Sequence, residues 1–170
     1  MNRRTSMTDA LGGVTQWSYD AAGNLTSIRD PNNHTTAFTY DSRNRSVTTT
    51  NPLGATETLA YDQESRVTSR TDALGSVWQF GYDAEGRKVG ENDPLGGIKQ
   101  WTYGPFGNLM SYRDPNGNMT MFGYDLLNRR TSETNAMGQS QSWTYDKVGN
   151  LLSWQRPGGA TFTYAYSPCC

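Results

Sequence analysis

Asp20, Asp62, Asp83, Asp125 and Asp146 each stand directly after a tyrosine, as does Asp41. Stacked in register, such carboxylates could hold Ca²⁺, but a calcium site needs about six to eight oxygens from several ligands. The chain offers one such aspartate per recurrence and no second acidic residue at a fixed offset. That pattern suits a turn-forming side chain better than a metal ligand. His34 is the sole histidine and belongs to no recurring motif, so no Ser-His-Asp or Cys-His set can be assembled by spacing. There is no phosphate-binding G-x-x-x-x-G-K-[ST] run. The only cysteines, Cys169 and Cys170, are adjacent and fit neither a disulfide framework nor a spaced metal site. The expectation is a protein without catalytic, cofactor or metal residues, and therefore not an enzyme.

The frame that carries these aspartates is more informative than their chemistry. Tyr19, Tyr40, Tyr61, Tyr82, Tyr103, Tyr124, Tyr145 and Tyr166 follow one another at a constant interval of 21. Eight of only 10 tyrosines falling on one frame without insertion or deletion identify a tandem repeat. The repeat spans the chain as a single array over 1–170, with full repeats over about 19–165 and partial ones at both ends.

Two residues before the tyrosines stand Trp17, Phe38, Leu59, Phe80, Trp101, Phe122, Trp143 and Tyr164, and a small residue separates each pair. Large, small, large is period-two alternation, which predicts a strand with both rings on one face and a flat opposite face. The next positions read Asp20, Asp41, Asp62, Asp83, Gly104, Asp125 and Asp146. Three residues later come Gly23, Asn44, Ser65, Gly86, Gly107, Asn128 and Gly149. An Asx-led turn ending in a residue that tolerates positive φ is a hairpin turn, and only Ser65 is ill suited to it. A short second strand then leads to a second turn, read as DPNN, NPLG, DALG, DPLG, DPNG, NAMG or RPGG. Each repeat thus supplies two strands and two turns. Three repeats share a finer signature, GNLTSIR (23–29), GNLMSYR (107–113) and GNLLSWQ (149–155), which hints at a two-repeat superperiod that the third repeat breaks.

The apolar content is 34%, and Leu, Ile, Val and Phe number only 24, yet aromatics reach 12% and the net charge is only −1. Disorder of the usual low-hydrophobicity, high-charge kind is therefore not indicated. Fifteen basic and 16 acidic residues spread along the chain leave no electrostatic footprint for nucleic acid or an anionic membrane. No apolar run is long enough to insert in a bilayer, and no signal peptide is visible. A lone repeat buries too little to offset the cost of ordering it, so neighbouring hairpins must share ladders and stack their rings in continuous rows. The expected fold is all-β, a continuous antiparallel sheet of 21-residue hairpins, whose open edges invite self-association.

The unit W/F-x-Y-D-x-x-G-N-L…D-P-x-G resembles the RHS repeat, also called the YD repeat, over roughly residues 9–166. The residues carrying the resemblance are Tyr19, Asp20, Tyr40, Asp41, Tyr61, Asp62, Tyr82, Asp83, Tyr103, Tyr124, Asp125, Tyr145 and Asp146, with Trp17, Trp101, Trp143, Gly23, Gly107 and Gly149. Bacterial Rhs and polymorphic toxins, the BC components of Tc toxins and the teneurins are its users. The resemblance implies that this chain is a strip of a hollow β-shell. Its partners would be the remaining repeats and an enclosed C-terminal toxin or effector, in a parent secreted by or displayed on a bacterium. The family's self-cleaving region carries paired D-P-x-G elements; the elements at 93–96 and 114–117 imitate them, but Asn118 stands where Leu is expected. Gly104 with Pro105, and Leu59 in an aromatic place, depart from the pattern. The alternative reading is a surface module of aromatic hairpins that binds choline or carbohydrate by cation–π attraction.

Overall fold

The structure is a computed structural model and describes residues 2–167. Cys169 and Cys170 lie outside the described residues. The six-residue strands that end in the repeat tyrosine are β2 (Val14–Tyr19), β4 (Thr35–Tyr40), β6 (Thr56–Tyr61), β8 (Val77–Tyr82), β10 (Ile98–Tyr103), β12 (Met119–Tyr124) and β14 (Ser140–Tyr145). Five-residue strands alternate with them: β3 (Leu25–Arg29), β5 (Ser46–Thr50), β7 (Val67–Thr71), β9 (Lys88–Asn92), β11 (Leu109–Arg113), β13 (Arg130–Thr134) and β15 (Leu151–Gln155). Short strands β1 (Ser6–Thr8) and β16 (Thr161–Thr163) complete the set. They run in sequence order through one open all-β sheet. The chain divides into two compact units, residues up to Phe80 and residues from Gly81 onward.

In the first unit the strands pair antiparallel, and the hairpin register places Trp17 opposite Ile28, Phe38 opposite Thr49 and Leu59 opposite Arg70. The second unit repeats this with Trp101 opposite Tyr112, Phe122 opposite Glu133 and Trp143 opposite Trp154. The pairing accounts for the GNL signature. The three repeats that carry it are those in which a tryptophan meets an apolar cross-strand neighbour, whereas the Phe and Leu repeats meet Thr, Arg or Glu. Directly opposed residues share a face and supply much of a sheet's side-chain stabilisation.

A bulge recurs beside the hairpin turn that follows the repeat tyrosine. Ser18 pairs with Ser27 but Tyr19 pairs with Leu25, so Thr26 is an extra residue in β3. The same shift occurs at Tyr40, Tyr61, Tyr103, Tyr124 and Tyr145. Without it, Leu25 and Ser27 would lie on one face by the two-residue period of a strand. With it, Leu25 joins the tyrosine face and Ser27 the flat face.

That flat face is built from hydroxyls. Cross-strand pairs Thr39–Thr48 (2.7 Å), Thr50–Thr56 (2.8 Å), Thr102–Ser111 (2.7 Å), Thr134–Ser140 (2.7 Å) and Thr144–Ser153 (2.6 Å) bond to one another. No described side chain is fully buried on either face. The strands therefore have no interior of the usual kind, and the rings are half-covered rather than enclosed.

Both turns of the repeat share one geometry. In the first, the Gly23 amide donates to the Asp20 carbonyl (3.0 Å) and the Asp20 amide to the Asn24 carbonyl (2.9 Å), while Gly23 sits at φ 95°. This is a type I turn closed by a left-handed residue, the three-residue hairpin loop. Ser65 is forced into the same conformation at φ 66°, where a non-glycine residue is strained. Ser65→Gly is therefore expected to stabilise the protein by about 0.5–1.5 kcal/mol, and Gly86→Ser, at φ 80°, to destabilise it by a similar amount. Urea midpoints at unchanged m-value test this; equal midpoints for both variants and the parent would contradict the strain.

Candidate functional site

The recurring corner of the repeat, Tyr-Asp-x-x-Gly/Asn followed by Arg or Asn, is where side chains converge. Its first component is the carboxylate. The Oδ1 atom of Asp41 accepts the amides of Arg43 (2.9 Å) and Arg45 (3.0 Å), and that of Asp125 accepts those of Leu127 (3.0 Å) and Arg129 (2.9 Å). Asp20, Asp62, Asp83 and Asp146 cap their turns with the same oxygen. The second turn does likewise with Asp9, Asp30, Asn51, Asp72, Asp93, Asp114 and Asn135. Backbone amides from Arg45 and Arg129 hold the Asp41 and Asp125 carboxyls below the usual carboxylate range, against an opposing push from desolvation. At Asp20 and Asp114 the side-chain amides of Asn24 and Asn118 are the main cause of the same lowering.

The second component escaped the sequence reading. Five residues after each tyrosine the chain reads Asn24, Arg45, Arg66, Arg87, Asn108, Arg129 and Asn150, and nothing else. Arg129 grips its own Asp125 (2.7 Å), donates Nη1 to the carbonyl of Asp146 in the next repeat (2.6 Å), and lies over the Tyr145 ring at 4.8 Å. Arg45 does the same with Asp41, Asp62 and Tyr61, and Arg87 with Asp83, Gly104 and Tyr103. Arg66 grips Asp62. One guanidinium thus ties a turn to its successor through an ion pair, a carbonyl and a ring face. At the asparagine positions, Asn24 and Asn150 hold their own turns through Asp20 and Asp146, and Asn24 also donates Nδ2 to the side-chain oxygen of Asn44 (2.8 Å) in the next repeat. The restriction of this position to two residue types was the signal available in the sequence.

The third component is the tyrosine hydroxyl. Tyr19, Tyr40, Tyr61, Tyr124 and Tyr166 each donate to the carbonyl 15 residues earlier, on Arg4, Leu25, Ser46, Leu109 and Leu151. Leu25 precedes the point where β3 registers with β4, whose pairing begins at Ser27. The hydroxyl supplies a donor to a carbonyl that the bulge displaces from the ladder, an obligation that any backbone acceptor carries.

These contacts revise the expectation of continuous ring stacks. Ring–ring contacts among the described residues include Trp101–Tyr112 (5.6 Å) and Trp154–Phe162 (5.4 Å), both across a strand pair. Like rings of successive hairpins are two strands apart, about 9.5 Å, which exceeds stacking reach. Cations fill the space instead: Arg70 lies over Trp78 (5.0 Å), Lys88 over Trp101 (5.1 Å), and Arg130 over Phe122 (4.5 Å) and Trp143 (5.2 Å). Trp17 takes Arg4 (5.6 Å). Tyr82, at the end of β8, and the left-handed Gly107 and Gly149 occupy the same places in their repeats as their counterparts.

Candidates for other chemistry are occupied by these tasks. His34 is exposed, with Nδ1 3.1 Å from Asp30. Asp93 and Asp114 each hold two amides of their own turns. Among the described residues no cluster of three His, Cys, Asp or Glu could hold a metal ion, and no helix is long and apolar enough to cross a membrane.

The Teneurin YD-shell family model matches residues 3–153. The chain belongs to this YD-repeat family. Among curated proteins none matches the chain. Solved structures share its fold: the Photorhabdus luminescens Tc holotoxin pore is 17% identical over 88% of this chain and 9% of its own, with a TM-score of 0.64. TcdB2-TccC3 without its hypervariable C-terminal region is 18% identical over 88% of this chain and 10% of its own, also at 0.64, and TcdB2-TccC3 itself is 20% identical over 85% and 9%, at 0.62. This YD-repeat chain spans about a tenth of the length of those structures.

Two outcomes follow for the corner. Arg129→Lys keeps the charge but loses the fork, and is expected to cost about 1–2 kcal/mol, with Tyr124→Phe costing about 0.5–1.5. A change below about 0.3 kcal/mol in both would contradict the coupling. Because the folded carboxyls titrate below their unfolded value, the stabilisation they give is complete above about pH 4 and is lost as pH falls through the lower folded values. Asp41→Asn keeps the amide cap, as Asn51 and Asn135 do, and its acid limb should be flatter than the parent's in pH-dependent urea unfolding.

Proposed function

We propose that this YD-repeat chain is a length of wall from a larger protein whose hairpins build a hollow β-shell around a C-terminal toxin or effector domain. The observation that carries the reading is the coupling of hairpins to their neighbours: tyrosine hydroxyls reach back to the preceding hairpin and arginines forward to the next, and no described side chain is buried. Such a segment functions by continuing an array. Enclosure and delivery rest on the fold shared with Tc toxin components, one of them described by a hypervariable C-terminal region.

On this reading the whole of 1–170 is one array. Its tyrosines, aspartates, tryptophans and turn glycines are structural, and the segment performs no catalysis. Its partners are the flanking repeats and the cargo of its parent, which is secreted or held at a bacterial surface. The choline- or carbohydrate-binding alternative is disfavoured because the chain's own arginines already cover the Tyr61, Tyr103 and Tyr145 rings.

The test is to read the source DNA on both sides of the frame, express the full parent, and expose it to protease. The expected outcome is more YD repeats followed by an unrelated C-terminal region that resists digestion until denaturant opens the protein. Immediate digestion of that region, or a saturable tryptophan fluorescence shift of this chain with millimolar choline, would overturn the proposal.

A further inference from the structure

The hairpin turn at residues 104–108 keeps the backbone of its sister turns but lacks their carboxylate. The Gly104 amide donates to the Asn108 carbonyl (2.8 Å), the Gly107 amide donates to the Gly104 carbonyl (3.0 Å), and Gly107 sits at φ 84°. In the sister turn at 146–150, the Asp146 carboxylate accepts three donors: the Val148 amide (3.0 Å), the Asn150 amide (2.8 Å) and the Asn150 Nδ2 (2.8 Å). In the turn at 20–24, Asp20 accepts the Asn24 amide (2.8 Å) and its Nδ2 (2.9 Å). The corresponding donors at 104–108 are the amides of Phe106 and Asn108 and the Asn108 Nδ2. Among the described residues none of the three has a protein acceptor.

A second observation concerns what replaces the missing side chain. A Cβ added to Gly104 would lie 3.3 Å from the Met110 sulfur, so the methionine leans into space that an aspartate would contest. Met110 there joins Pro105, Phe106, Tyr124 and Leu126 in an apolar groove of about 210 Å³ that reaches Asn108. Phe106 is 82% exposed and Leu126 101%. Asp125 also lines the groove, but its charge is matched by Arg129 (2.7 Å). Arg87, 3.2 Å from the Gly104 carbonyl, brings positive charge to the same turn.

We propose that this notch binds, in trans, the carboxylate of an aspartate flanked by apolar residues in a partner polypeptide segment. The donor set matches an aspartate because aspartates occupy it within the chain, and convergent amides on a turn favour anions. The adjoining groove receives the flanking side chain. The inference stands whether or not the array encloses a cargo.

The test uses the full chain, captured sparsely on a sensor surface, with acetyl-Gly-Leu-Asp-Leu-Gly-amide as probe. Expected is saturable binding at millimolar peptide, weaker by about tenfold or more when the probe's Asp is Asn, as loss of a charge-assisted bond implies. Gly104→Asp supplies its own carboxylate and should abolish binding with the β-sheet circular dichroism unchanged; if that variant misfolds, Asn108→Ala, which removes one donor, should weaken binding in its place. Absence of saturation, equal affinity for the Asn probe, or undiminished binding by the folded variants would overturn the proposal. Full displacement of the peptide by an equal concentration of acetate would also overturn it, by reducing the site to one for any small anion.

Discussion

The hydrogen bond from a repeat tyrosine to the carbonyl 15 residues before it is the contact on which this sheet most depends. With no described side chain buried, apolar burial cannot fix the register, and the bulge beside the turn that follows the tyrosine takes one carbonyl out of the ladder. An unpaired backbone acceptor under a half-covered ring costs more than a solvated one. The tyrosine meets both needs, since its ring shields the bulged strand and its hydroxyl ends on the displaced oxygen. Phenylalanine could do only the first, which is why the same strand tolerates Trp, Phe or Leu two residues earlier but returns to tyrosine at this place.

The bulge also explains how so short a repeat separates two chemistries. On the ring face, aromatics alternate with arginines and lysines that lie flat on them, so apolar area is covered by the stems and planar heads of charged residues. On the other face, threonine and serine hydroxyls bond in pairs across strands and protrude little. A one-residue slip in any strand would exchange the faces, stranding arginines among hydroxyls and rings in water. Register is thus fixed by side-chain chemistry where a larger protein would fix it by its core.

Much of this was legible in the chain. The 21-residue frame, the two strands and two turns, and the left-handed positions at Gly23, Gly86 and Asn128 follow from residue types that act within four or five positions, the range over which a turn is determined. The arginine clamp and the tyrosine hydroxyl bond were not legible, because their partners lie 15 to 17 residues away. The ring stacks were expected for a related reason. A tandem sequence suggests that like packs on like, but an antiparallel hairpin inserts a whole strand between equivalent residues, and Arg45, Arg87 and Arg129 occupy that gap.

The choice between arginine and asparagine after the turn then sets how strongly neighbouring hairpins are joined. Arginine reaches the next repeat through a carbonyl and a ring face, whereas asparagine closes its own turn and, at Asn24, adds a single amide bond to Asn44; asparagine occurs with a tryptophan opposite an apolar residue, as in Trp101–Tyr112 and Trp143–Trp154. In those repeats, coupling moves from the rim of the sheet to its middle. The array therefore mixes hairpins pinned at their turns, as at Arg45, Arg87 and Arg129, with hairpins pinned across their strands, as at Trp101–Tyr112 and Trp143–Trp154.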